Sequence, residues 1–216
     1  MDIIPYAWYN IRNGFENGGG FFMTEMFSLP PIGTNCYLFY DENSREAAVI
    51  DPASGEDAIL ERAKTLGLKI KYILLTHGHF DHIGGADRLS VLCKAPVYVS
   101  AEDAELLSSP EKNASAKMGF SNVTVQTEPK TFSDGDVFEI GDKKLTAMLT
   151  PGHTKGSACF FGEKEVFTGD TVFCDGYGRT DLYGGDYGEM RKTLMKLLPM
   201  LKGKKIYPGH GETRDF

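Results

Sequence analysis

The run Thr-His-Gly-His-Phe-Asp-His at residues 76–82 holds three of the chain's five histidines and a carboxylate within seven positions. It follows residues 69–75, a short apolar run rich in β-forming side chains that predicts a buried strand. After it, apolar residues recur at intervals of three, which predicts one buried helix face: Ile83, Ala86, Leu89 and Leu92. The histidines are therefore expected at the carboxyl end of a strand, where α/β sheets keep their ligand sites.

Four side chains in this run are of metal-ligating type: His77, His79, Asp81 and His82. A single histidine is usually a packed or surface residue, but packing gives no reason to crowd imidazoles together. Imidazole with carboxylate suits Zn, Mn or Fe rather than Ca or Mg. In an extended segment the first two histidines point the same way, and the other two ligands lie where the helix begins. This spacing favours two adjacent ions over one.

Three further candidates share one context, a strand followed by a glycine turn. His153 lies in Thr-Pro-Gly-His-Thr (150–154), Asp170 in Phe-Thr-Gly-Asp-Thr (167–171) and His210 in Tyr-Pro-Gly-His-Gly (207–211). Proline and glycine fix a tight turn that directs the next side chain away from the sheet end. Asp170 taken alone could equally be a turn residue or a helix cap.

The order of strand-like and helix-like runs predicts two sheets packed together with helices outside, a four-layer αββα sandwich of the α/β class. We interpret residues 1–21 as an amino-terminal extension and residues 22–216 as one domain. The run Ser-Gly-Glu-Asp at 54–57 predicts a capping box that starts a helix, and Asp186 predicts the start of another. Residues 108–130 are polar and weakly periodic, which favours a lid or a substrate-facing insertion.

Composition excludes several kinds of partner. The formal net charge is -7, whereas binding to a nucleic-acid backbone needs a basic face, so no nucleic acid is expected. No apolar stretch reaches the length of a membrane span, and the amino terminus lacks the pattern of a signal peptide, so we expect no membrane association and a cytoplasmic location. The four cysteines are widely spaced and are expected to be reduced core residues.

Taken together, the motifs at 76–82, 150–154, 167–171 and 207–211 resemble the metallo-β-lactamase superfamily, and specifically its short, single-domain glyoxalase II-like (hydroxyacylglutathione hydrolase-like) members. The resemblance implies the αββα fold and two divalent ions, zinc first, with iron or manganese as alternatives. It implies one ion held by His77, His79 and His153, a second by Asp81, His82 and His210, and Asp170 as the bridge. A hydroxide between the ions would attack a carbonyl carbon, and Asp81 would orient it as the catalytic carboxylate.

The resemblance also implies a substrate class, a small thioester of the S-acylglutathione type such as lactoylglutathione. The sequence departs from two-domain glyoxalase II enzymes, because it ends at Phe216 and reads Gly-Arg-Thr-Asp at 178–181. Arg179 could hold a substrate carboxylate, with an ion pair to Asp181 as the alternative, and Tyr177 is a second predicted substrate contact.

Two other activities remain open at this point. An iron-dependent persulfide dioxygenase would use His77, His153 and Asp170 as a facial triad. A lactonase could use the whole centre. The pairing of His210 with Gly211 favours the hydrolase, and a homo-oligomer is possible.

Overall fold

The computed structural model describes residues 12–13, 24–120 and 122–216. Most of the predicted extension 1–21 and the predicted domain start at residue 22 therefore lie outside the described residues. Within the extension, β1 (Arg12–Asn13) pairs antiparallel with the strand that begins at Thr24.

The first sheet has seven strands in sequence order. After β1 come β2 (Thr24–Leu29), β3 (Thr34–Tyr40), β4 (Glu46–Ile50), β5 (Lys69–Leu74), β6 (Val97–Ser100) and β7 (Lys130–Phe132). Strands β1 to β4 are antiparallel neighbours, and β4 to β7 run parallel. The parallel connections contain α1 (Glu56–Thr65), α2 (Phe80–Ile83), α3 (Ala86–Cys93) and a 3-10 helix (Ala101–Leu106).

The second sheet has six strands in the order β13-β12-β11-β10-β9-β8. These are β8 (Val137–Ile140), β9 (Lys143–Leu149), β10 (Ala158–Phe161), β11 (Glu165–Gly169), β12 (Lys205–Pro208) and β13 (Arg214–Asp215). The parallel pair β11 and β12 is joined through α4 (Tyr187–Leu197) and a 3-10 helix (Leu198–Leu201).

Three buried apolar clusters define the layers. The middle cluster, with Tyr37 and Phe160, fills the space between the two sheets. The cluster with Leu38 and Ile59 lies between the first sheet and α1, because alternate residues of a strand face opposite sides. The third cluster packs Leu197 of α4 on the second sheet. Helices outside two face-to-face sheets confirm the predicted αββα sandwich.

Two local predictions were wrong. Leu92 is 56% exposed, because each step of three residues falls about 60° short of a full helical turn, so that Leu92, two steps after Ala86, has left the buried face of α3. The capping box at 54–57 is absent: Gly55 is the residue that precedes α1, and no side chain caps that helix. By contrast, Asp186 begins α4 as predicted, and its Oδ1 accepts a hydrogen bond from Glu189 N at 2.8 Å. Among the described residues, no helix is long and apolar enough to cross a membrane.

Candidate metal centre

The predicted ligands follow the carboxyl ends of strands in both sheets. Residues 77–82 follow β5, His153 follows β9, Asp170 follows β11 and His210 follows β12. A backbone hydrogen bond joins the two sheets across the sandwich, from Ala158 N to Thr76 O at 2.8 Å, and another joins two ligand loops of the second sheet, from Gly209 N to Gly169 O at 2.8 Å. The two sheets therefore present their ligands to a common end of the molecule.

Two motif glycines are required by close approach. Gly169 has φ +48°, and a Cβ there would lie 2.3 Å from Thr76 Oγ1. At Gly209 a Cβ would lie 2.2 Å from Asp170 Oδ1 and 2.7 Å from the ring of His82. Glycine at both positions lets the loops bring their side chains together without a clash.

All seven predicted ligands converge. One trio, with donor atoms within 4.8 Å of one another, is His77, His79 and His153, and a second is Asp81, His82 and His210. Asp170 lies between the trios: its Oδ2 is 3.5 Å from His153 Nε2 and its Oδ1 is 3.5 Å from His82 Nε2. The arrangement has the shape of two adjacent cation sites with one shared carboxylate.

Hydrogen bonds on the outer nitrogens fix the tautomers. His153 Nδ1 donates to the carbonyl oxygen of Arg179 at 2.7 Å, and His82 Nδ1 donates to Asp51 Oδ2 at 2.9 Å. Thr76 Oγ1 donates to Asp51 Oδ2 at 2.7 Å, so it accepts from His77 Nδ1 at 3.1 Å. Each of these rings therefore turns the lone pair of Nε2 inward, as in other sites where outer contacts orient a metal-binding histidine.

The inward atoms fit a metal. Among the described residues, His77 Nε2, His82 Nε2 and Asp170 Oδ1 are buried and have no hydrogen-bond partner. Buried polar atoms are normally paired, and orphaned ones carry a penalty of about 1–3 kcal/mol each. Three orphaned donors of metal-binding type around one volume are explained by cations that accept their lone pairs. The donor set suits zinc, iron or manganese.

The electrostatics favour the ligand-competent forms of His77, His79 and Asp81, whereas His82 has to lose a proton before it can bind a metal. Burial lowers the pKa of His77 and His79 well below the ordinary value, and neighbouring imidazoles lower it further. Burial also disfavours charge on His82, but the carboxylates of Asp81, Asp51 and Asp170 outweigh it and raise its pKa to about 10. Burial raises the pKa of Asp81, but nearby histidines prevail and hold it well below its usual range. In the metal-free protein, a proton on His82 thus balances the carboxylates.

Sequence reasoning missed the residues that hold the ligands in place. Asp51 follows β4 and holds both Thr76 and His82, and none of the four ligand motifs includes it. Thr34 Oγ1 donates to Asp81 Oδ2 at 2.7 Å. Asp103, from the 3-10 helix after β6, accepts hydrogen bonds from Gly78 N and Gly156 N. The one available signal was the position of Asp51 and Asp103 after strands, which isolated aspartates share with ordinary turns.

The predicted substrate residues differ in their placement. Arg179 lines the cavity over the centre, and its guanidinium forms a two-bond ion pair with Asp181 at 2.6 and 2.7 Å. The alternative in which these two residues pair is therefore what the structure contains. Tyr177 is 46% exposed and is not among the residues that line the cavity, so this geometry gives no support to its predicted contact.

The fold and this centre define a class of protein. The family model of the metallo-β-lactamase superfamily matches residues 29–210, and the chain belongs to that superfamily, as the motifs predicted. Members of the superfamily are typically metal-dependent hydrolases.

Three relatives illustrate the range. Hydroxyacylglutathione hydrolase GloC of Haemophilus influenzae is 32% identical over 191 residues, covering 87% of this chain and 90% of that protein. The crystal structure of BLEG-1 B3 metallo-β-lactamase is 32% identical with a TM-score of 0.84, over 89% of this chain and 93% of that one. The structure of TTHA1623 in a di-iron-bound form is 29% identical with a TM-score of 0.79, over 88% and 93%.

Proposed function

We propose that the protein hydrolyses a small thioester of the S-acylglutathione type at a dinuclear metal centre. His77, His79 and His153 would hold one divalent ion, and Asp81, His82 and His210 the other, with Asp170 between them. Zinc is the first candidate, and iron or manganese are the alternatives. The observation that carries the proposal is the convergence of seven ligand side chains, among which His77 Nε2, His82 Nε2 and Asp170 Oδ1 are buried and have no hydrogen-bond partner.

The similarity to hydroxyacylglutathione hydrolase GloC supports the substrate class, because it extends over 87% of this chain. The similarity to a di-iron structure keeps iron open as the metal. Neither comparison identifies the acyl group.

Two divalent ions bound here would supply Lewis acidity for the thioester carbonyl and would lower the pKa of a bound water. The residues around them do the positioning. Thr34 fixes Asp81 through Oδ2, and His82 and His210 lie 3.3 and 3.2 Å from the same oxygen. Asp81 is thereby held in one orientation beside the candidate metal positions, where it would orient the attacking water. This is the catalytic role predicted for it.

In the reaction, the oxygen of water bonds to the carbonyl carbon, the carbon–sulfur bond breaks, and the electron pair leaves on sulfur. Ordinary thiols have a pKa of about 8.5, so a thiolate leaves without a dedicated acid. The products are a carboxylic acid and a thiol. The attacking water gives up a proton to solvent and the thiolate takes one up from solvent, so the reaction balances without a dedicated acid residue.

The test is release of thiol from lactoylglutathione by protein of measured metal content. Asp170→Ala should lower kcat/KM by at least about 100-fold, since it removes the carboxylate between the two trios. Asp175→Ala, an exposed aspartate in the same loop, serves as the matched control and should retain activity. Unchanged turnover in Asp170→Ala would remove the proposed role of the centre.

Rival activities are measured on the same preparation. Oxygen uptake with glutathione persulfide and no thiol release from a thioester would establish the dioxygenase instead. Hydrolysis of lactones but not thioesters would establish the lactonase. The full seven-residue set favours the hydrolase, because a facial triad of His77, His153 and Asp170 leaves the other four side chains without a role.

A further inference from the structure

A cavity of about 330 Å³ opens over the candidate centre. Its floor is formed by candidate ligands, among them Asp170 and His210. Apart from the ligands, Arg179 and one glycine, its walls are apolar: Ile32, Phe80, Ala114, Met118, Phe173 and Leu182. We propose that this cavity binds the acyl arm of the thioester and selects an unsubstituted aliphatic chain over a hydroxyacyl group. The inference rests on the proposed thioester hydrolysis and specifies its substrate class.

Two of these wall residues are exposed without a structural reason. Ile32 is 46% exposed in the turn between β2 and β3, and Met118 is 45% exposed in the segment 108–120. Scattered exposed apolar side chains are ordinary, but these two line the same cavity as the candidate ligands. A bound aliphatic chain would remove both from water.

The charges of the lining residues indicate which arm of the thioester enters the cavity. A thioester has two arms, and in a glutathione thioester the thiol arm carries two carboxylates and an ammonium group. The one arginine or lysine among the lining residues is Arg179, and its guanidinium is already paired with Asp181. Burying the charged arm against apolar walls would leave its charges unpaired, which is strongly unfavourable. The apolar cavity therefore suits the acyl arm, and the thiol arm extends toward solvent.

The part of the wall formed by segment 108–120 is held in place by contacts within the protein. The side chain of Asn113, which is buried, donates to Leu106 O at 3.1 Å and Val123 O at 2.8 Å. Next to it, Ala114 has φ +71°, a conformation that non-glycine residues adopt only when their surroundings hold them. Segment 108–120 therefore lies where the sequence predicted a substrate-facing insertion, and Asn113 fixes its position. An apolar wall that is held in place discriminates between acyl groups by their size and polarity.

The volume of the cavity limits the size of the acyl chain that it can hold. A cavity of about 330 Å³ equals roughly eleven waters at ~30 Å³ each, near the lower end of ligand pockets. Each methylene buried there should raise kcat/KM about fourfold until the cavity is filled. A hydroxyl on the chain should reverse part of that gain, because the apolar walls offer it no partner.

The first experiment compares acyl groups on one thiol, glutathione, with metal-loaded protein. Acetyl, butyryl and hexanoyl thioesters give the chain-length dependence of kcat/KM. Propionyl and lactoyl thioesters form a matched pair that differs by one hydroxyl. Each kcat/KM is divided by the rate constant for hydroxide-catalysed hydrolysis of the same compound, which removes intrinsic reactivity. We expect hexanoyl to exceed acetyl by at least tenfold, because two fully buried methylenes at about fourfold each would already give more than that, and we expect propionyl to exceed lactoyl.

The second experiment uses a pair of exposed methionines. Met118→Ser should flatten the chain-length dependence and leave acetyl hydrolysis within about threefold, because the removed contact lies beyond a two-carbon chain. Met195 lies on the outer face of α4 and is 75% exposed, so Met195→Ser should change neither the chain-length dependence nor the rate of acetyl hydrolysis. Calorimetry of the non-hydrolysable S-hexyl and S-methyl thioethers of glutathione gives a readout independent of turnover. Tighter binding of the hexyl compound with a negative heat-capacity change is expected, and Met118→Ser should weaken it.

The outcomes separate the two proposals. If no thioester is hydrolysed by the metal-loaded protein, the proposed function fails and this inference with it. If thioesters are hydrolysed but lactoyl equals or exceeds propionyl, or chain length has no effect, the function stands and the apolar acyl site is refuted. Loss of chain-length selectivity in Met195→Ser as well as in Met118→Ser would also refute it.

Discussion

Replacing Asp103 with alanine should weaken both the fold and the first cation site, because this buried carboxylate ties two ligand-bearing loops together. Its Oδ2 accepts hydrogen bonds from Gly78 N at 2.9 Å and Thr154 Oγ1 at 2.7 Å, and its Oδ1 accepts one from Gly156 N at 2.8 Å. Gly78 separates two candidate ligands, and Thr154 directly follows a third. Asp103 itself lies outside both trios and does not line the cavity.

The size of the expected loss in stability follows from these hydrogen bonds. A hydrogen bond to a charged group contributes about 1.5–3 kcal/mol, and burial, which raises the pKa of Asp103, offsets part of the sum. Alanine would also leave two backbone N–H groups buried without a partner. We expect the free energy of unfolding to fall by about 3–5 kcal/mol, in the range for breaking a buried charged network. Affinity for the first metal should fall about 10–100-fold, as for other residues that orient ligands from outside.

Urea unfolding of the metal-free protein measures the first quantity, and competition with a chromophoric chelator measures the second. Asp87→Ala is the matched control. Asp87 also accepts backbone hydrogen bonds from a neighbouring segment, Gln126 N at 2.8 Å and Thr127 N at 2.7 Å, but it lies on α3, away from the centre. The control should lose stability and keep its metal affinity. An Asp103→Ala protein within 1 kcal/mol of the parent, or with unchanged metal affinity, would refute the reasoning.

Three further predictions concern the centre. Asp51→Asn removes the carboxylate that orients His82, so affinity for the second metal should fall about 10–100-fold by calorimetric titration, and an unchanged value would contradict that role. Carboxylates raise the pKa of His82 to about 10 and also raise the pKa of His210 against the effect of burial, so a metal must displace protons from both. Metal affinity at this trio should therefore rise about tenfold per pH unit for each proton released. A pH-independent affinity would contradict this prediction. Gly209→Ala should abolish binding of two ions per chain because its Cβ has no room, whereas Gly176→Ala, with nothing within 4 Å, should bind them normally by elemental analysis; equal behaviour of the pair would be the contrary result.

The centre was predictable from the sequence because its ligands occur in repeated contexts. Three histidines within residues 76–82, and a glycine before each of His153, Asp170 and His210, are patterns that packing alone does not explain. Their placement after strands then gave the common end of the sandwich. The residues of each motif are neighbours in the sequence, so they remain neighbours in the folded protein.

The supporting contacts were not predictable, because they join residues far apart in the chain. Asp103 meets Gly156 across 53 positions, and Thr34 meets Asp81 across 47. No spacing rule connects such pairs. The exposed Leu92 and the absent capping box at 54–57 show the opposite error, in which a short local pattern predicted too much. A three-residue spacing leaves the buried face of α3 within two steps, and a glycine precedes α1 in place of a capping side chain.

Metal-loaded crystals measured at the absorption edge of the bound metal test the central claim most directly. We predict two anomalous peaks per chain, one in contact with His77, His79 and His153 and the other with Asp81, His82 and His210, both beside Asp170. A single peak, or peaks away from these seven side chains, would contradict a dinuclear centre.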